Sequence, residues 1–100
     1  MFLIKNGNVL MGNKIEKLDI LIENEIIKKI DKNISETICS NILNAQGKYI
    51  IPGGIDVHTH FNIDVGIVSA DNFYTGTAAA AFGGTTCIVD HPGFGLEVVI

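Results

Sequence analysis

The sequence has no arginine and no tryptophan, and it contains only two cysteines and two prolines among its 100 residues. Its seven basic residues are all lysines, and they stand against eleven acidic residues, so the formal charge is −4. A chain with this balance lacks the basic face that neutralises phosphates, so no nucleic acid partner is expected. Cys39 and Cys87 are too few for a disulfide scaffold or a four-cysteine zinc site, which favours two reduced thiols in a cytoplasmic protein.

The sequence also lacks a long apolar run. Residues 1–4 are apolar, but Lys5 follows at once, so a signal peptide is not expected. The longest uncharged stretch, residues 72–89, is interrupted by glycines and threonines. It is a poor membrane span, because a span needs about 20 mainly apolar residues, and no membrane partner is expected. The hydrophobic content of 47% nevertheless excludes a disordered chain and predicts a buried core.

The first half of the chain has the pattern of short strands in a small sheet with one wet face. Asn6-Gly7 separates two apolar segments and predicts a tight hairpin turn. Apolar residues alternate with other residues over 18–23, and this period of two predicts a half-buried strand.

Two further segments of this half leave alternatives open. Residues 26–30 are predicted to form a strand after a turn at Asn24-Glu25, with a short helix as the competing interpretation. Isoleucines recur every four residues over 34–42, which leaves a short amphipathic helix open there.

The second half has the pattern of strand, helix, strand. Residues 55–60 are predicted to form a strand after the Pro-Gly-Gly turn at 52–54. Residues 72–82 are predicted to form a helix that Asp71 caps. The β-branched run over 85–89 predicts a strand buried on both faces. Together these elements predict one βαβ unit with parallel strands.

The sharpest feature is His58-Thr59-His60 at the end of the first of these strands. Alternate residues of a strand face the same side, so the two histidines point together, with Cα atoms about 6.6 Å apart. Two imidazoles at that separation can converge on one metal ion. Asp56 shares their parity, and a buried carboxylate there would accept a hydrogen bond from a ligand histidine or a neighbouring group. Two partly exposed histidines are the alternative, but the carboxyl end of a strand that opens a βαβ unit is where ligands bind.

Two longer strings carry a resemblance to a known family. The string PGGIDVHTHF at residues 52–61, followed by GTAAAAFGGTTCIVDH at 76–91, resembles the amidohydrolase superfamily, and within it the hydantoinase and dihydropyrimidinase family. Residues 60–67 and 90–95 are most similar to the phenylhydantoinase branch of that family. The resemblance covers residues 2–95 and is strongest after residue 47.

The resemblance implies an α/β fold in two parts. Residues 1–48 would form the N-terminal part of a composite β-sandwich. Residues 49–100 would form the first strand-helix-strand portion of a truncated metal-dependent hydrolase (β/α)8 barrel. His58 and His60 would be ligands of the more buried ion of a two-zinc site, whose bridging hydroxide attacks a ring amide carbon. The implied substrate is a small cyclic ureide, hydantoin or dihydropyrimidine, which is opened to an N-carbamoyl amino acid.

The loop after the two histidines is mostly apolar, and in the family this region shapes the pocket for the side group of the substrate. The candidate pocket residues are Phe61, Ile63, Val65 and Ile67, and packing against the barrel rim is the alternative. Asp90 and His91 follow the second strand. The family does not use the His91 position as a ligand, so a structural or rim role is expected for it. Cys87 is expected to be a buried, inert thiol.

The resemblance also implies what is missing from the sequence. The other metal ligands of the family, a carboxylated lysine, two histidines and an aspartate, lie beyond it, so no catalytic residue is expected here apart from the metal ligands. A (β/α)8 barrel takes about 250 residues. The chain is therefore expected to be an N-terminal fragment, inactive alone, of an enzyme whose full-length relatives are homo-oligomers. A frameshift, a natural truncation and a deliberate shortening all stay open as its origin.

Two other classes of protein stay open. Allantoinases, dihydroorotases and deacetylases share a similar histidine motif, although residues 62–67 and 90–95 favour a hydantoinase. A non-catalytic, dihydropyrimidinase-like scaffold is the second alternative. Such scaffolds usually lose the metal histidines, and His58 and His60 are both present here.

Overall fold

The computed structural model describes residues 1–64 and 66–91. The chain divides into two compact units, Met1–Ile51 and Pro52–Ile100, each with its own sheet. The division lies three residues later than the predicted boundary after residue 48, because Tyr49–Ile50 pairs with the first strand. In the described part of the chain, no helix has the length and apolar character needed to cross a membrane.

The first unit is a five-stranded sheet. Its strands are β1 (Phe2–Met11), β2 (Lys14–Glu23), β3 (Ile26–Asp31), β4 (Ile42–Asn44) and β5 (Tyr49–Ile50). The first three strands form an antiparallel meander, and β4 and β5 both pair in parallel with β1. The strand-rich character predicted for this half is therefore confirmed.

The hairpin predicted at Asn6-Gly7 is wrong, because β1 runs straight through this dipeptide. Asn6 has a φ of 60°, and the register between β1 and β2 shifts between Ile4 and Gly7, so the dipeptide forms a bulge. The chain reverses instead at Gly12-Asn13, where Gly12 has a φ of 64°. A bulge and a hairpin turn both need a residue that tolerates positive φ, which is why the dipeptide is ambiguous.

The bulge distributes the core over both faces of the sheet. Leu3 packs with Leu21 and Ile34 on one face. Beyond the bulge the side-chain parity is reversed, and Val9 packs on the opposite face in the cluster that contains Leu18. Residues 18–21 of β2 are consequently all buried. The prediction of a strand is confirmed, but the prediction of a single buried face is wrong.

The two open segments of this half have definite structures. The β2–β3 hairpin is confirmed, with positive φ at both Asn24 and Glu25, as tight hairpin turns require. The amphipathic helix over 34–42 is wrong: only a short 3-10 turn forms over Glu36–Ile38, and β4 follows it. Ile34 is buried whereas Ile38 is exposed, so the four-residue spacing does not mark one buried face.

A buried ion pair joins Lys5 of β1 to Asp19 of β2, and no local sequence pattern predicts it. The Lys5 ammonium donates to Asp19 Oδ2 at 2.7 Å and to the carbonyl oxygen of Ile34 at 2.8 Å. The carboxylate of Asp19 also accepts the backbone N–H groups of Asn6 and Ile34, each at 2.8 Å. The ion pair thus connects β1 and β2 with the segment at Ile34, which follows β3.

The second unit is a βαβ unit, as predicted. Its elements are β6 (Gly54–Thr59), α1 (Phe73–Phe82) and β7 (Thr85–Asp90), and β6 pairs with β7 in parallel. The helix cap differs from the prediction by one residue. The side-chain oxygen of Asn72, not of Asp71, accepts the backbone N–H of Thr75. The hydroxyl of Thr75 in turn accepts the backbone N–H of Asn72, which completes a capping box.

The strand β7 is less buried than predicted. None of its residues is buried, and Cys87 is an exposed free thiol, so both burial predictions are wrong. Within the described residues of this unit, β7 pairs with β6 and contacts α1. One helix and one neighbouring strand leave much of its surface in solvent.

Candidate metal centre

The two histidines of the motif come together at the carboxyl end of β6. His58 Nε2 and His60 Nε2 lie 3.0 Å apart, and the two rings meet edge to face with centroids 4.9 Å apart. The next strand, β7, ends beside them at Asp90, and His91 follows. The ring centroid of His91 lies 4.5 Å from that of His58.

The hydrogen-bond partners assign the ring tautomers. His60 Nδ1 lies 2.8 Å from the carbonyl oxygen of His91, and a carbonyl can only accept, so Nδ1 carries the proton. The lone pair of His60 is therefore on Nε2, and His58 Nε2 donates to it. His91 Nε2 lies 3.1 Å from the carbonyl oxygen of Val57 and carries its proton there. The ring of His91 thus holds the backbone of β6.

The carboxylate of Asp56 contacts the backbone. Its Oδ1 accepts the backbone N–H of His58 at 3.0 Å, and the residue is exposed, whereas the sequence predicted a buried carboxylate. This hydrogen bond directs Oδ1 of Asp56 towards the backbone of His58. A contact of Asp56 with a histidine ring therefore stays a prediction.

Two imidazole nitrogens that converge in this way fit a metal ion. Tetrahedral zinc with bonds of about 2.0–2.1 Å needs ligand nitrogens about 3.3–3.4 Å apart, only a few tenths of an ångström more than the observed separation. Neutral imidazole is a preferred ligand of zinc. Across residues 1–64 and 66–91 no group of three or more histidine, cysteine or acidic side chains is arranged to hold a metal ion. His58 and His60 would therefore supply part of a coordination shell.

The candidate pocket residues differ in their contacts and in their burial. Phe61 packs on α1, with its ring 5.8 Å from that of Phe73 and directly against Gly76. Ile63 is buried, whereas Ile67 is 82% exposed. Val65 lies outside the described residues. A pocket of about 320 Å³, near the lower end of the range for ligand sites, has a lining that includes Ile63 and is otherwise mostly polar. The other lining residues are Asn62, Asp64, Val68, Ser69, Ala70, Asp71 and Asn72.

Gly76 lets the aromatic ring next to the histidines approach the helix. A Cβ atom at position 76 would overlap the ring of Phe61. Gly76→Ala is therefore expected to destabilise this unit by about 1–3 kcal/mol through overpacking, although alanine is favoured over glycine in a helix by about 1 kcal/mol. Urea unfolding of both variants checks this, with Thr77→Ala, an exposed position on the same helix, as the control. Equal stabilisation by the two substitutions would contradict the packing interpretation.

The curated relatives and the solved structures that match the chain carry related names. No family model matches the chain. It is 55% identical over 94 residues to a D-phenylhydantoinase of Escherichia coli O17:K52:H18, and the match covers 93% of the chain and 20% of that relative. The same protein name recurs in other Escherichia coli strains at 55% identity.

Solved structures give the same result. The dihydropyrimidinase from Brevibacillus agri NCHU1002 superposes with a TM-score of 0.81 at 44% identity, over 89% of this chain and 19% of its own. The D-hydantoinase from Bacillus sp. AR9 superposes with a TM-score of 0.82 at 44% identity, over 90% and 20%. The chain thus spans about a fifth of the length of the relatives that it matches.

Proposed function

We propose that this chain, a homologue of the hydantoinases and dihydropyrimidinases over about a fifth of their length, supplies the first metal ligands of a hydrolase that opens a cyclic amide. One observation carries the proposal. His58 Nε2 and His60 Nε2 converge to 3.0 Å at the carboxyl end of a parallel strand. In α/β barrels the carboxyl ends of the strands hold the active site.

We infer the place of these strands in a larger fold from the similarity to the hydantoinases. In the proposed parent enzyme β6, α1 and β7 are the first strand, helix and strand of a (β/α)8 barrel. The first unit, with its five strands, would be part of a composite β-sandwich beside that barrel. The remaining ligands would come from other barrel strands, since the described residues hold no group of three metal-ligating side chains.

The proposed metal is zinc, which His58 and His60 would bind through their Nε2 atoms. When bound, zinc activates a water molecule and polarises a carbonyl group. In the proposed reaction water adds across one C–N bond of the ring. The water oxygen ends in a new carboxylate, and the released ring nitrogen takes up a proton and becomes the terminal amide nitrogen of the carbamoyl group in an N-carbamoyl amino acid.

The protein groups around the histidines support this role. The bond from His60 Nδ1 to the carbonyl oxygen of His91 keeps the Nε2 lone pair available as a ligand. His58 donates its Nε2 proton to His60 and would give it up when a metal is bound. Both rings therefore already lie near one point before any ion is present.

The names of the relatives suggest the substrate class. One relative is a D-phenylhydantoinase and one solved structure is a dihydropyrimidinase, so the proposed substrate is a hydantoin or a dihydropyrimidine. Ile63, Val65 and Ile67 are proposed to contact the substituent of the ring. Phe61 is proposed to anchor this loop to α1, because its ring packs against Phe73 and Gly76. A cytoplasmic, homo-oligomeric parent enzyme is part of the same proposal, and the two free cysteines support the location.

A chimera tests the function. Residues 1–91 of this chain would replace the matching segment of the Escherichia coli D-phenylhydantoinase, to which the chain is 55% identical. The chimera with zinc is expected to open phenylhydantoin, as followed by release of the N-carbamoyl product. The Escherichia coli protein without its matching segment, and the 100-residue chain alone with zinc, are the controls, and both are expected to be inactive. A folded chimera that neither binds zinc nor turns over substrate would favour the non-catalytic scaffold.

A further inference from the structure

The carboxylate of Asp90 lies at the end of β7, beside the two histidines. Its Oδ1 accepts the hydroxyl of Thr59 at 2.9 Å and the backbone N–H of Phe61 at 3.0 Å. These two donors belong to the residues on either side of His60. The second oxygen, Oδ2, is buried and has no hydrogen-bond partner among residues 1–64 and 66–91.

The residue after Asp90 also holds this segment. The backbone N–H of His91 donates to the carbonyl oxygen of Thr59 at 2.8 Å. The carbonyl oxygen of His91 accepts from the ring of His60 at 2.8 Å. Asp90 and His91, at the end of β7, therefore bind three groups around His60: Thr59 before it, Phe61 after it, and the His60 ring itself.

We propose that Asp90 is a positioning residue that sets the direction and the tautomer of the His60 ring by holding Thr59 and Phe61. The inference rests on the proposed function for its purpose, since a metal ligand must be placed within about half an ångström of its productive position. Hydrogen bonds to a charged carboxylate are about twice as strong as neutral ones, which suits a group that fixes a backbone. The bonds of Oδ1 go to Thr59 and Phe61, so the carboxylate acts on His60 through the strand end.

The ring of His60 is bound through Nδ1 by the carbonyl oxygen of His91. With Oδ1 in place, the peptide of His91 lies beside the His60 ring, and Nδ1 carries its proton. Without the Asp90 carboxylate, Thr59 and Phe61 lose their shared acceptor. The end of β6 can then move away from β7. The ring of His60 then loses its carbonyl partner, which weakens the preference for a proton on Nδ1.

Variants of the 100-residue chain test this proposal without metal or substrate. Nitrogen NMR of the imidazole rings, at a pH where they are neutral, reports which nitrogen of His60 carries the proton. Asp90→Ala is expected to replace the Nδ1–H pattern of His60 by a mixture of the two tautomers. Asp90→Asn keeps an acceptor oxygen at the Oδ1 position and is expected to retain the Nδ1–H pattern. Thr59→Val, which removes one of the two donors, is expected to give an intermediate result.

Zinc titration of the same variants gives a second readout. Asp90→Ala is expected to weaken zinc binding by about 10–100-fold, as loss of a group that orients a ligand typically does, and Asp90→Asn is expected to restore most of it. Thr77→Ala, an exposed position on the helix of the same unit, is the control and is expected to change neither readout. If Asp90→Ala prevents folding, Thr59→Val and Asp90→Asn still decide between the outcomes.

The outcomes separate this proposal from the proposed function. Unchanged His60 tautomers in both Asp90→Ala and Thr59→Val, with zinc binding within about twofold of the unmodified chain, would overturn the positioning role. An inactive, metal-free chimera would overturn the function but leave the tautomer result standing. A tautomer change that Asp90→Asn reverses supports the positioning role whatever the chimera does.

Discussion

Replacing His60 with alanine in the active chimera is expected to lower kcat/KM for phenylhydantoin by more than about 100-fold, because loss of a group that merely orients a ligand already costs about 10–100-fold. His58→Ala is expected to have an effect of the same size. The physical reason is the convergence of the two Nε2 atoms to 3.0 Å, which makes each ring half of one two-nitrogen site. Zinc content after dialysis should fall together with activity in both variants.

His91 supplies the matched control for that experiment. It is a histidine at the same edge of the sheet, but its Nε2 donates to the carbonyl oxygen of Val57, so its ring lone pair is not directed at the other two rings through that atom. His91→Ala keeps the backbone carbonyl that holds His60 and is expected to lower activity less than His60→Ala. If His91→Ala removes the zinc while His60→Ala retains it, the assignment of ligands is wrong.

The parts of the fold that follow from local pattern could be predicted from the sequence. The βαβ unit, the β2–β3 hairpin and the pairing of the two histidines on one side of a strand each depend on residues that are close in the chain. The bulge at Asn6-Gly7 could not be predicted in this way. It depends on a partner, β2, that continues for ten residues opposite β1 and keeps the strand extended through the dipeptide.

The contacts of Asp90 and His91 that hold the candidate site could not be predicted for a similar reason. Asp90 lies about 30 residues from Thr59 in the sequence, and their contact depends on the register that makes them partners in the β6–β7 pair. The sequence offers only an aspartate at the end of an apolar strand. One usable signal exists. Asp90 and the histidine motif each lie at the carboxyl end of a strand, and the two strands are parallel neighbours.

The buried ion pair of the first unit carries the second large expected effect. Asp19→Ala is expected to lower the free energy of unfolding by about 3–5 kcal/mol, because it leaves the ammonium of Lys5 buried without its counter-charge. The side chains of Lys5 and Asp19 are only 9% and 3% exposed, so water cannot replace the lost partner. The substitution also removes the acceptor of the backbone N–H groups of Asn6 and Ile34.

An exposed pair of the same sheet is the control for this prediction. Lys29 and Asp31 form an ion pair at 2.9 Å, with side chains 55% and 46% exposed. Exposed pairs contribute little to stability and are screened by salt. Asp31→Ala is therefore expected to change the urea midpoint much less than Asp19→Ala, and similar losses from the two substitutions would contradict the importance given to burial.

The pH dependence of stability tests the same ion pair from another side. Burial alone would raise the pKa of Asp19, but the Lys5 ammonium and the N–H groups of Asn6 and Ile34 outweigh it and hold the pKa below the ordinary value of 3.8. A carboxyl group with a lowered folded-state pKa stabilises the protein fully above its unfolded-state pKa, and it loses this contribution as the pH falls through the folded-state value. The unfolding free energies of the unmodified chain and Asp19→Asn should thus differ by a constant amount from about pH 7 to pH 5 and converge below about pH 4. A difference that persists unchanged in acid would mean that the charge of Asp19 is not what stabilises the sheet.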